Sequence, residues 1–206
     1  MADNNTTQVY EEYRGVESLY FAKLLKDDAE SISWDTPKWL AGVAEISRQT
    51  NESTATHYYD NGPKIVIKST SGDDITVSTS VIPLEIQAAI GGSDYDEETG
   101  AMFEGGGVNQ DYFALLYKAK TTNGKDVYVA RYKGTFSGVS DTTHHTEDDS
   151  TDANGQEVVF HGVETTHKFT KDNKARRGLT VVDDGKADLS SFFTTVQTPD
   201  TLKAKV

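Results

Sequence analysis

Apolar positions fall in short runs that mostly alternate with polar ones. From Gly15 to Lys26 the chain carries Val16, Leu19, Tyr20, Phe21, Leu24 and Leu25. This run predicts a buried strand, although its spacing also fits a short helix. Residues 1–14 are polar and predict an arm without structure of its own. Residues 27–41 break the pattern with Asp27, Asp28 and Pro37 and hold both tryptophans, Trp34 and Trp39. Tryptophan is normally largely buried, so these two either fold back onto the core or fill a neighbour's pocket. Residues 43–49 and 53–59 predict two short strands. Residues 64–70 and 74–82 flank Ser71-Gly72-Asp73, with Ile75, Val77, Thr79 and Val81 on one face, and predict a hairpin turning there.

One helix is predicted, from Pro83 to Gly91, with proline at its start, Glu85 in its first turn and glycine at its stop. At two turns it must be held by packing. The clearest hairpin follows. Phe113, Leu115 and Tyr117 alternate with Tyr112, Ala114 and Leu116, and Asn123-Gly124 suits a tight turn with positive φ. The return strand over 127–136 sets Tyr128, Tyr132 and Phe136 on one side, Val127 and Val129 on the other. A strand over 157–169, placing His161 and His167 on one face, and a weaker one near Leu179 to Val182 come next. Phe192 and Phe193 then sit in a Ser/Thr-rich tail closed by Pro199. Eight or so strands and one helix predict a mainly β fold, an antiparallel β-sandwich or barrel with one short flanking α-helix. The divisions expected are a flexible arm over 1–14, a β domain over 15–183 and a C-terminal tail over 184–206, without internal repeat.

Composition sharpens this picture. Leu, Ile, Val and Phe make up 43 of 206 residues, near the lower limit for an ordered domain, so some segments are expected to need a partner surface. The chain has no cysteine, which excludes a disulfide scaffold, Cys-ligated zinc and a thiolate nucleophile. No run approaches the ~18 apolar residues of a membrane span, and the N-terminal residues do not resemble a secretory signal; cytoplasmic synthesis is the expectation. Net charge is −13, which argues against ordinary nucleic-acid binding. Two stretches hold most of it: Asp94, Asp96, Glu97, Glu98, Glu104 and Asp111, then Glu147, Asp148, Asp149, Asp152 and Glu157, neither with a base between. They read as solvated loops or as a surface that repels a polyanion.

Catalytic patterns fail on inspection. Gly105-Gly106-Gly107 precedes no predicted helix and lacks the lysine of a phosphate loop, and no Gly-x-Ser-x-Gly occurs. Ser150-x-Asp152-x-Asn154-Gly155 resembles the start of a calcium loop, but His161 stands where a bidentate Glu is required. His144, His145, His161 and His167 suit metal by type but not by arrangement. No catalytic, cofactor-binding or metal-ligating residue is assigned, and an enzyme is not expected.

The order of elements is informative where single motifs are not. Val43-Ala44-Glu45-Ile46-Ser47 is followed by Tyr58-Tyr59-Asp60-Asn61-Gly62. Val81-Ile82-Pro83-Leu84-Glu85-Ile86 then opens the helix that Gly91 ends. Next come Tyr95-Asp96-Glu97-Glu98-Thr99-Gly100, Tyr112-Phe113-Ala114-Leu115, and Tyr132-Lys133-Gly134-Thr135-Phe136. Over roughly residues 15–170 this order and spacing resembles the major tail protein, or tail tube, family of siphoviruses, the bacteriophages with long non-contractile tails. The resemblance implies a virion protein assembled in the bacterial cytoplasm. Its subunits form hexameric rings stacked into a hollow tube, whose channel carries the genome during ejection without binding DNA specifically. The partners implied are further copies of the chain, a tape measure protein, and tail terminator and distal tail proteins; no cofactor or membrane is implied.

Three physical features agree with that expectation. An acidic wall does not trap DNA, although the residues leave open whether either acidic stretch faces the lumen. A chain short of core gains by exporting apolar groups to neighbours, and head-to-tail contacts close rings or stack filaments. Trp34, Trp39 and the 1–14 arm are the candidates for ring-to-ring contacts, since aromatic anchors dominate interface energies. The basic segment Lys171, Lys174, Arg176 and Arg177 fits either pairing with an adjacent acidic loop or simple solvation. The competing class is a monomeric carbohydrate-binding or adhesive β-sandwich, with Tyr58, Tyr59, Trp34 and Trp39 as its aromatic platform.

Overall fold

The computed structural model describes residues 10–105, 109–144, 146 and 154–205, and β-strand dominates them. In chain order the elements are β1 (Tyr13–Asp27), β2 (Ile32–Trp34), β3 (Lys38–Ala41), β4 (Val43–Tyr59), β5 (Gly62–Thr79), α1 (Leu84–Gly91), β6 (Asp94–Asp96), β7 (Ala101–Phe103), β8 (Phe113–Thr121), β9 (Asp126–Ser137), β10 (Gln156–Gly162) and β11 (Gly178–Val182). Nine strands form one antiparallel sheet in the order β2-β1-β8-β9-β10-β5-β4, with β3 on β1 and β11 on β9. The fold is mainly β with one short helix, as the alternation predicts.

Strand β8 is apolar on both sides because each of its faces meets a core. Phe113 and Leu115 join Leu19, Phe21, Ile75, Val77, Val158 and Phe160 in a first cluster, with Tyr117 packed against it. Ala114 and Leu116 join Ala130, Tyr132, Phe169, Phe192 and Val196 in a second. The first cluster is capped by α1 through Ile90, with Ile86 partly buried. This two-turn helix is docked by Gln156, whose Oε1 accepts from Ile82 N at 2.6 Å, and by Gln87, whose Nε2 donates to Ile82 O at 2.7 Å. The second is covered by the chain end, where Phe192 is fully buried and lies 5.0 Å from the Tyr128 ring.

Several expected boundaries move. The turn expected at 71–73 is absent. β4 and β5 are continuous, and the hairpin turns at Asp60 and Asn61, both with positive φ (48° and 61°), as a two-residue loop requires. Gly72 stands within β5, opposite Asn51. A Cβ there would sit 2.5 Å from Gly162 O, so this glycine serves a close strand approach, with φ at 149°.

Segment 27–41, expected to break the pattern, forms β2 and β3 on the edge of β1. Between β8 and β9, only Gly124 has positive φ, in a loop closed by Thr121 N donating to Lys125 O. Phe136 does not share a side with Tyr128 and Tyr132. Between the pairs Leu115↔Arg131 and Phe113↔Gly134, β9 spends one residue more than β8. Such a bulge reverses the facing of everything beyond it. Phe136 therefore packs on Phe113 and Phe160 in the first cluster. Finally, β10 stops at Gly162 rather than 169, so His161 and His167 do not share a strand face: His161 is exposed and His167 is 8% exposed.

Candidate functional site

Beyond the ladder with β10, which ends at Gly162↔Asp73, β4 and β5 continue alone as a two-stranded ribbon paired from Asn51↔Gly72 to Tyr59↔Gly62. At ~3.4 Å per residue it reaches roughly 25 Å from the body. Residues 52–61 and 63–71 are all exposed, on both faces. Ala55, His57, Ile65 and Ile67 occupy one face by cross-strand pairing; Thr54, Thr56, Val66 and Lys68 occupy the other. Tyr58, Tyr59, Ile65, Val66 and Ile67 are each about half exposed or more. A two-stranded ribbon is marginal in water by itself, and a contiguous exposed apolar patch marks an interaction surface.

The root of the ribbon is pinned from both faces. Inward, Asp73 is 2% exposed and faces three guanidiniums: Arg131 Nη1 and Arg177 Nη1 at 3.5 Å, and Arg48 Nε at 3.6 Å. Arg131 is itself buried, and its Nε has no partner among the described residues. Outward, Asp74 accepts from Asn51 Nδ2 at 2.9 Å and lies 2.7 Å from His161 Nδ1, while His161 Nε2 lies 2.8 Å from Ser137 Oγ. These bonds, Asn51 first and His161 second, hold the Asp74 carboxyl below its usual range.

Ser137, His161 and Asp74 reproduce the bonding order of a nucleophilic triad. They stand, however, on neighbouring strands of an open sheet face, with His161 and Asp74 more than 40% exposed. Strand β10 is paired on both edges, so its backbone donors are spent on the ladder rather than aimed at an oxyanion. The arrangement is a cross-strand polar ladder that fixes the ribbon root. Sequence reading missed it because the three residues become neighbours only through strand order.

A second feature lies where the sheet fails to close. β3 pairs with β1 at Leu19 to Phe21, and no ladder joins β4 to β1 among the described residues. The gap is a cleft of about 600 Å³ lined by Tyr13, Val16, Ile46, Arg48, Tyr117 and Arg131, among others. Its floor is largely apolar with a buried guanidinium, and burial raises the Tyr117 phenol above its ordinary value.

Of the residues singled out from sequence, Trp34 belongs to the fold. Its Nε1 donates to Tyr132 O at 2.8 Å and its ring packs on Tyr132, so it is no free anchor; Trp39 is 48% exposed. Tyr58 and Tyr59 stand at the ribbon tip, on a different element from either tryptophan. Asp94 and Asp96 lie in the β6–β7 hairpin, and Asp96 is spent on Glu98 N and Thr99 Oγ1. Asp111 pairs with Lys23 at 2.5 Å, whereas Asp94, Glu97, Glu98 and Glu104 form no ion pair among the described residues. Glu147, Asp148, Asp149 and Asp152 lie outside the described residues, as does most of the calcium-like stretch.

In the basic segment, Arg176 pairs with Asp172, and Arg177 with Asp73 and Glu164. A separate cleft of about 560 Å³ is lined by Trp34, His167, several threonines and the carboxylates Glu30, Asp35 and Asp200. Among the described residues no three His, Asp or Glu side chains converge as a metal site, and no helix is long and apolar enough to cross a membrane. No protein-family model and no curated protein matches the sequence.

Proposed function

We propose that this chain is a self-assembling structural subunit, of the kind that builds the tail tube of long-tailed bacteriophages. The observation that carries the reading is the ribbon. Some twenty residues are held in strand pairing, with a bulge at each end, and no described residue covers either face; they display Tyr58, Tyr59, Ile65, Val66 and Ile67. Its root, by contrast, is fixed by a buried ion cluster and an exposed polar ladder. A rigid root with an uncovered blade suits insertion against another subunit, and a contact of that kind between identical chains is heterologous, closing rings or stacking them. Asp94, Glu97, Glu98 and Glu104, which form no ion pair among the described residues, and the net charge of −13 suit a passage for DNA that holds none of it. Rings of six, a tape measure partner and end-capping proteins belong to the reading through the family resemblance.

The test is replacement of residues 52–70 by a two-residue Asn-Gly turn, followed by negative-stain electron microscopy over a concentration series. The expected result is hollow tubes with a regular repeat for the wild type and a folded, non-assembling variant. A variant that still forms tubes refutes the role of the ribbon.

One observation favours the alternative of a carbohydrate-binding module: the cleft beside Trp34 combines an indole, hydroxyls and carboxylates. That reading predicts a monomer at all concentrations that binds a glycan array and loses binding in Thr198→Val.

A further inference from the structure

The open seam between β1 and β4 is chemically incomplete. Arg48, Arg131 and Arg177 share the one buried carboxylate of Asp73, and none approaches closer than 3.5 Å. Guanidiniums offer five donors each, and the further acids beside them, Glu45 on the seam's rim and Glu164 against Arg177, are exposed and leave Arg131 Nε without an acceptor. Around these donors the seam is apolar, with Val16, Ile46, Ala119 and Val129. Its complement is therefore an apolar side chain beside an unpaired carboxylate.

The β6–β7 hairpin presents that pair. Asp94 and Phe103 are directly opposed across its two strands, so they project from the same face with their Cβ atoms ~5 Å apart. Phe103 is 60% exposed and Asp94 is exposed without an ion pair among the described residues. The chain does not make this contact with itself: the hairpin packs on α1, and no residue of β6, β7 or α1 lines the seam.

We infer that the β6–β7 hairpin of one copy seats in the β1–β4 seam of the next, with Phe103 entering the apolar part and the Asp94 carboxylate accepting from Arg48 and Arg131. Donor and acceptor surfaces at separate places make the contact head-to-tail, and it propagates from copy to copy. The inference rests on the self-assembly reading but not on the ribbon, which is a separate surface.

The absence of cysteine permits a clean test. Purified Arg48→Cys and Asp94→Cys proteins are mixed under assembling conditions and treated with a flexible bis-maleimide, because the Cα atoms of an arginine–carboxylate pair lie beyond the ~7 Å reach of a disulfide. The expected result is an interchain crosslinked dimer, absent when either variant is treated alone. In parallel, Arg48→Glu and Asp94→Arg each raise the concentration needed for assembly by about tenfold, the effect of losing one close charge pair. Combining both substitutions in one chain restores assembly to within about threefold of wild type. Circular dichroism and urea unfolding verify that each variant is folded. Regular tubes without the crosslink, or unchanged assembly in the single variants, overturn the seam contact and leave the tube reading standing. A wild-type protein that stays monomeric at millimolar concentration in sedimentation velocity overturns both.

Discussion

Replacing Asp73 by alanine removes the one carboxylate that compensates a buried guanidinium, and the structure sets the size of the effect. Asp73 and Arg131 have side chains 2% and 8% exposed, whereas Arg48 is 43% exposed. The Arg48 arm of the cluster is screened by solvent and contributes little, within ~1 kcal/mol. The Arg131 arm is different: removing one partner of a buried pair leaves an uncompensated charge, at about 3–5 kcal/mol. Against a total stability of roughly 5–15 kcal/mol that is a large fraction. With an unfolding entropy of ~2.1 cal/mol/K per residue over 206 residues, about 4 kcal/mol lowers Tm by about 9 °C. The assay is urea unfolding at low protein concentration, where a shifted midpoint with unchanged slope reports stability alone. Two controls isolate the cause. Arg48→Ala changes stability little, and the pair Asp73→Leu with Arg131→Met costs less than Asp73→Ala alone, because no charge is then left buried. An Asp73→Ala protein within about 1 kcal/mol of wild type, or one less damaged than Arg48→Ala, refutes the assignment of the root as a buried ion cluster.

Two further outcomes follow from the same geometry. Trp34→Ala destabilises the monomer by about 3 kcal/mol or more through its lost packing on Tyr132 and the freed Tyr132 carbonyl, whereas Trp39→Ala leaves thermal unfolding within about 0.5 kcal/mol; equal effects refute the separation of the two tryptophans. For pH, burial alone raises the Asp27 carboxyl. The Lys133 ammonium at 2.6 Å and the backbone N–H groups of Thr166 and His167 outweigh it and set the folded value below the ordinary one. The unfolded chain then binds the proton more tightly, so this stability is present above about pH 4 and is lost as pH falls through the depressed folded value. Urea titrations from pH 6 to pH 2 show a steeper acid loss for wild type than for Asp27→Asn, and identical slopes contradict the assignment.

Local signals in the sequence determined the β class, the single helix and most of the strand positions. Alternation places Phe113, Leu115 and Tyr117 against Ala114 and Leu116, and Pro83 and the glycines at 91 and 92 bound α1, because these are properties of neighbouring residues. The missing cysteine and the acidic balance are equally independent of the fold.

Tertiary structure decided the rest. The bulge between Arg131 and Gly134 turned Phe136 to the other face, and a one-residue insertion leaves no trace in alternation until the partner strand is known. Gly72, which reads as a turn, lies in β5 because Gly162 on β10 passes too close for any side chain. With β4 and β5 fused into one hairpin, their outer halves became the ribbon, whose residues resemble any other strand until none of the described residues is found to cover them. Asp73 and the three arginines come from four strands or segments up to 129 residues apart in sequence, with no spacing to betray them. Charge, in this chain, could be counted from the sequence; which charges are buried, shared or left unpaired depended on the sheet order that brought them together.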